Sequence, residues 1–98
     1  MIVRIDIEGN ESTLFDYRVS YESEDLYADS GLSSMVEALA AAVEGLAPDA
    51  LGVQLWLRGV VSGTYPLDVV AMSPEQITEH ALNTTMAIEE ALRRTEPD

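Results

Sequence analysis

The sequence predicts an α+β domain of two layers: a four-stranded, mostly antiparallel sheet in the order ββαββα, with two helices packed on one of its faces. Three observations carry that expectation. Apolar and polar residues alternate in four short segments, the period of half-buried strands. Two other segments carry apolar residues at helical spacing, each opened by a serine in the capping position. Finally, 98 residues of which 47% are hydrophobic suffice for one core and leave no room for a second, so residues 1–98 are read as a single domain.

Val3, Ile5 and Ile7 alternate with Arg4, Asp6 and Glu8 and define the first strand. Gly9-Asn10-Glu11 supplies turn chemistry, and Phe15, Tyr17, Val19 and Tyr21 repeat the period, so a hairpin is expected. The stretch from Glu22 to Gly31 has four carboxylates and neither period, and reads as an exposed loop. From Leu32 a helix is predicted through Met35, Val36, Leu39, Val43 and Leu46, with Ser34 and Glu37 spaced as a capping box and Pro48 beyond its end. Its opposite face, with Glu37, Ala38, Ala41, Glu44 and Gly45, is small and acidic and expected to meet solvent.

After a turn at Asp49, Leu51, Val53, Leu55 and Leu57 predict a third strand. Residues 59–63 turn the chain, and Tyr65, Leu67, Val69 and Ala71 predict a fourth. Pro66 cannot donate to a ladder, which sends that strand to an edge. Ser73-Pro74-Glu75-Gln76 starts the last helix at Pro74, with Ile77, Ala81, Thr84, Ile88, Ala91 and Leu92 as its inward stripe, Arg93 and Arg94 at the negative pole of its dipole, and residues 95–98 as a frayed tail. A crossover through the first helix then gives strand order 2-1-3-4, wholly antiparallel.

Charge is the strongest compositional signal. Eighteen Asp and Glu oppose five Arg, with no Lys, for a formal net charge of −13. Residues 1–30 hold −6 of it, residues 31–50 hold −3 and residues 73–98 hold −4, while residues 51–72 are neutral. Such a chain repels nucleic acid and anionic membranes and speeds encounter with a basic protein surface. No apolar run long enough for a membrane span or a signal peptide occurs, so a cytoplasmic location is expected. Without cysteine there is no disulfide, thiolate nucleophile or thiolate metal ligand.

Catalytic chemistry finds little to work with. His80 is the only histidine and falls at the flank of the last helix's inward stripe, where packing explains it; no nucleophile elbow, phosphate-cradling glycine loop or HExxH is present. Glu22, Glu24, Asp25 and Asp29 lack the spacing of a calcium loop. No enzyme, metal or cofactor is therefore expected.

The candidate recognition surface is the acidic stretch Glu22, Glu24, Asp25 and Asp29, extended by Glu37 and Glu44 on the following helix. Three apolar residues join it as candidates. Alternation places Trp56 on the sheet face away from Val53, Leu55 and Leu57, either as an anchor for a partner or as a ring lying over Arg4, Arg18 or Arg58. Leu82 and Met86, one turn apart and flanked by Glu79, Glu89 and Glu90, suit a docking ridge, a homodimer contact or a broad buried helix face. Charge, size and missing chemistry together imply a non-enzymatic inhibitor or adaptor of a basic, nucleic-acid-handling protein, acting as a nucleic-acid mimic does; a phage anti-defence protein of the anti-CRISPR or anti-restriction kind is an instance. The alternatives are an immunity or antitoxin-like protein that neutralises a toxin, and a self-associating structural subunit using Leu82, Met86 and Trp56.

Overall fold

Strict alternation in the first twenty-one residues builds the middle of the sheet. In a computed structural model, which describes residues 2–10, 12–46 and 50–95, β1 (Ile2–Asn10) and β2 (Leu14–Tyr21) pair antiparallel. Val3, Ile5 and Ile7 of β1 and Phe15, Tyr17 and Val19 of β2 are buried on one face. The expected turn at Glu11, the turn at Pro48 and Asp49, and tail residues 96–98 lie outside the described residues.

The chain belongs to the α+β class, but its sheet has five strands, not four, and is mixed, in the order β3-β2-β1-β4-β5. The additional strand is β3 (Glu24–Leu32), formed by the stretch read as an acidic loop. It pairs antiparallel with β2 through register shifts that interrupt the ladder twice. As an edge strand it sends few side chains into the core, Tyr27 and Leu32 being its partly buried apolar residues, so no alternation marks it.

One added strand reverses the parity of everything after it. β3 is antiparallel to β2 and hence runs with β1; α1 (Met35–Glu44) carries the chain back across the face, and β4 (Gly52–Leu57) enters beside β1 in parallel, Ile2 opposite Gly52 through Ile7 opposite Leu57. The expectation of a wholly antiparallel sheet fails for that reason.

The fourth predicted strand is displaced. After a two-residue turn at Arg58 and Gly59, β5 (Val60–Pro66) pairs antiparallel with β4. Residues 67–72, read as strand, form the short helix α2 (Leu67–Met72), in which Val70 is buried and Val69 exposed. Pro66 caps it with extended geometry, the Leu67 N–H donates to Leu51 O (3.0 Å), and the Asp68 carboxylate accepts from the Val69 N–H (2.9 Å). Pro66, which cannot donate to a ladder, ends the strand there, and the helix that follows buries Val70. That strand is an edge strand, as expected.

In α1, Ser34 is the N-cap and its Oγ accepts from the Glu37 N–H (3.1 Å). The buried face is Ala38, Leu39 and Ala42, which corrects the assignment of Ala38 to solvent: small residues let the helix approach the sheet closely. The last helix, α3 (Pro74–Thr95), starts where the sequence places it. Its buried side chains are Ile77, Thr78, Ala81 and Thr85, whereas Ile88, Ala91 and Leu92 are exposed. The predicted stripe drifts off the core because the second half of this long helix has little sheet beneath it. His80 is exposed, edge-on to Tyr65 at 6.1 Å between ring centres.

Candidate functional site

The helices cover one face of the sheet and leave the other open as a concavity of about 1080 Å³. Outward alternation on β1 and β2 supplies its floor. Five carboxylates, Asp6, Glu8, Asp16, Glu22 and Asp25, line it with two arginines, Arg4 and Arg18. Glu8 stands directly opposite Asp16 across the β1–β2 pair. Like charges in that position destabilise a sheet. Asp6, Glu8 and Asp16 were readable as outward-facing from their period; their membership of the acidic surface was not, because nothing local reveals that β3 folds up beside them.

Arg4 is already engaged. It donates to both Asp6 oxygens (2.8 and 2.9 Å) and its guanidinium lies 3.9 Å from the centre of the Trp56 ring. Trp56 Nε1 in turn donates to Gln54 Oε1 (2.9 Å). Trp56 therefore lies under an arginine of its own sheet, the second of the two readings given for it. Arg18 faces Asp6 in register, yet the Asp6 carboxylate is taken by Arg4.

Glu22, Glu24, Asp25 and Asp29 are all exposed. Glu22 sits with Ser23 in the β2–β3 turn, and the other three lie on β3. Register assigns their faces: Asp25 is opposite Ser20 and shares the open face, while Glu24 and Asp29 are opposite Tyr21 and Tyr17 and share the helix-bearing face. Carboxylates thus project on both sides of one edge strand.

Tyr27 fixes that strand to the rest of the molecule. Its ring meets Tyr17 edge-on at 6.2 Å, its hydroxyl donates to the Ala42 carbonyl, and it packs so closely on Gly45 that a Cβ there would come within 2.9 Å. A larger residue at position 45 would require the Tyr27 ring to shift. Glu44, exposed at the end of α1, is thereby brought toward β3. Burial raises the Tyr17 hydroxyl above its ordinary pKa, and the charges of Asp29 and Glu44 raise it further. Both carboxylates act on one ring, so the acidity of β3 and of α1 converges. Glu37 is exposed at the other end of α1 and accepts from the Ser33 N–H (3.2 Å) and hydroxyl.

Among the described residues the ion pairs are Arg4–Asp6, Arg58–Glu89 and Arg94–Glu90. None involves Glu22, Glu24, Asp25, Asp29, Glu37 or Glu44. The structure does not gather the three apolar candidates: Trp56 faces the open side, Leu82 packs partly buried against the core, and Met86, 54% exposed, borders a shallow cleft of about 340 Å³ along α3. No group of three or more metal-ligating side chains occurs among the described residues, and no helix is long and apolar enough to cross a membrane. No protein family, curated protein or solved structure matches the chain.

Proposed function

We propose that this protein is a non-catalytic binding module whose β3 edge and adjoining concave sheet face engage a basic protein, of the kind that handles nucleic acid, in competition with that protein's own polyanionic ligand. The observation that carries the reading is the absence of neutralisation. Four carboxylates from Glu22 to Asp29 stand exposed on a strand and its turn, with no described arginine paired to any of them. From Glu24, opposite Tyr21, to Asp29, opposite Tyr17, they span roughly 13 Å at about 3.3 Å per residue, and a field of one sign over that length steers an oppositely charged groove.

A surface acidic only for solubility would spread its charge around the molecule. Here the β5 edge carries no charge, whereas β3 and its turn hold four carboxylates without an arginine partner among the described residues; of the carboxylates on α3, Glu89 and Glu90 are paired with Arg58 and Arg94. An inhibitor that mimics nucleic acid and an immunity protein against a cationic toxin share this requirement. The occupied state of Trp56 and the packing of Leu82 against the core favour the electrostatic reading over self-association through those residues.

Competition tests it. Immobilised protein, exposed to a nuclease-treated extract of the native host, should retain a basic nucleic-acid-binding protein that elutes with salt, and should displace labelled nucleic acid from it. Reversing Glu22, Glu24, Asp25 and Asp29 together should abolish both effects. Retention and displacement that survive the reversal refute the reading.

A further inference from the structure

We propose that the partner is bound by strand addition: an extended segment carrying Arg or Lys pairs with the free side of β3 and becomes a sixth strand of the sheet. This rests on the basic-partner reading and adds a mode and a shape to it.

β3 terminates the sheet and is bonded to β2 alone. Among the described residues, the one backbone contact of another kind within β3 is the Ser30 N–H donating to the Asp29 carboxylate (2.8 Å). An edge in that condition is a template for another strand. Charge decides which strand. A second copy pairing β3 to β3 would set two strands, each with three carboxylates and no base, about 5 Å apart, a repulsive arrangement. A basic segment meets the reverse. A base pointing to the open face meets Asp25, one pointing to the helix-bearing face meets Glu24 or Asp29, and Glu44 stands behind.

The other edge offers no such selection. β5 carries no charge, and its last residue is Pro66. β3 also shows an apolar contact point. The shift between Val19 and Ser20 leaves Leu26 without a register partner between Asp25 and Tyr27, and it is 44% exposed. The segment that fits therefore carries bases flanking a small apolar residue.

Two peptides separate the possibilities. One alternates Arg and Thr over nine residues; the other has the same sequence N-methylated at every residue, which keeps each charge and removes each backbone donor. At low salt the first should bind, slow amide exchange within residues 24–29, and bind more tightly than the second by about tenfold or more, the change expected from losing one or two hydrogen bonds. Equal or tighter binding of the methylated peptide, or protection confined to another part of the protein, overturns strand addition and leaves the basic-partner reading standing. If neither peptide binds, both fall.

Discussion

β3 and β5 close the two edges of the same sheet, and each is reached through a two-residue turn in which both residues have positive φ: Glu22 and Ser23 on one side, Arg58 and Gly59 on the other. Each edge strand also pins itself down with one tyrosine. Tyr27 of β3 donates its hydroxyl to Ala42, whereas the Tyr65 hydroxyl of β5 is buried without a hydrogen-bond partner among the described residues. Charge separates the two edges completely, since β3 has three carboxylates and β5 has none. The neutral edge keeps a favourable turn residue and the protection of a proline. The acidic edge holds two non-glycine residues in left-handed geometry and collects like charges, both of which cost stability. An edge that would be more stable without its distinguishing residues is where function is to be sought.

The comparison can be broken most severely at Tyr27. Tyr27→Ala removes the ring that joins β3 to Tyr17, Ala42 and Gly45 and should lower stability by about 3 kcal/mol in denaturant unfolding, with amide exchange rising first in residues 24–32. A uniform rise across the sheet would show that β3 has no independent anchor. The turns come next. Ser23→Gly should stabilise the protein by about 1 kcal/mol and Gly59→Ser should destabilise it by a similar amount, because only glycine adopts positive φ freely. The tyrosine hydroxyls should differ in the same experiment: Tyr27→Phe costs about 1 kcal/mol, while Tyr65→Phe is neutral or stabilising, having no bond to lose and a buried polar group to remove.

The smallest effect is in titration. Burial raises the hydroxyls of Tyr17, Tyr27 and Tyr65 above the free value of 10.0. Their contribution to stability is fully present below pH about 10 and is lost as pH rises through the folded values. Asp29→Asn combined with Glu44→Gln should lower the Tyr17 value, followed by NMR of its ring carbon, and leave Tyr65 unchanged. An unmoved Tyr17 would mean that the acids of β3 and α1 do not converge.

Much of this architecture was legible from residues alone, and the failures have specific physical causes. β1, β2, β4, α1 and the start of α3 follow from period and caps, because in each the packed face is written in the side chains. β3 was hidden twice: its turn, Glu22-Ser23, lacks the Asn-Gly or Asp-Gly signal of such hairpins, and an edge strand held by backbone bonds needs little apolar alternation. That one omission then forced the wrong strand count and the wrong direction for β4. The acidic candidates Glu22, Glu24, Asp25 and Asp29 were read as a loop, whereas Glu24, Asp25 and Asp29 lie on a strand and Glu22 in the turn before it. Asp6, Glu8 and Asp16 were left out because their proximity to β3 is a property of strand order.

Location, as distinct from total charge, is tested by two variants of equal net charge. Glu24→Lys with Asp25→Lys changes the β3 edge, and Glu75→Lys with Glu79→Lys makes the same change on the exposed surface of α3. Measured against one basic partner at fixed salt, the first pair should abolish binding and the second should leave it within a few-fold of the native protein. Equal losses from both would contradict the account, since binding would then follow overall charge and β3 would be no site at all.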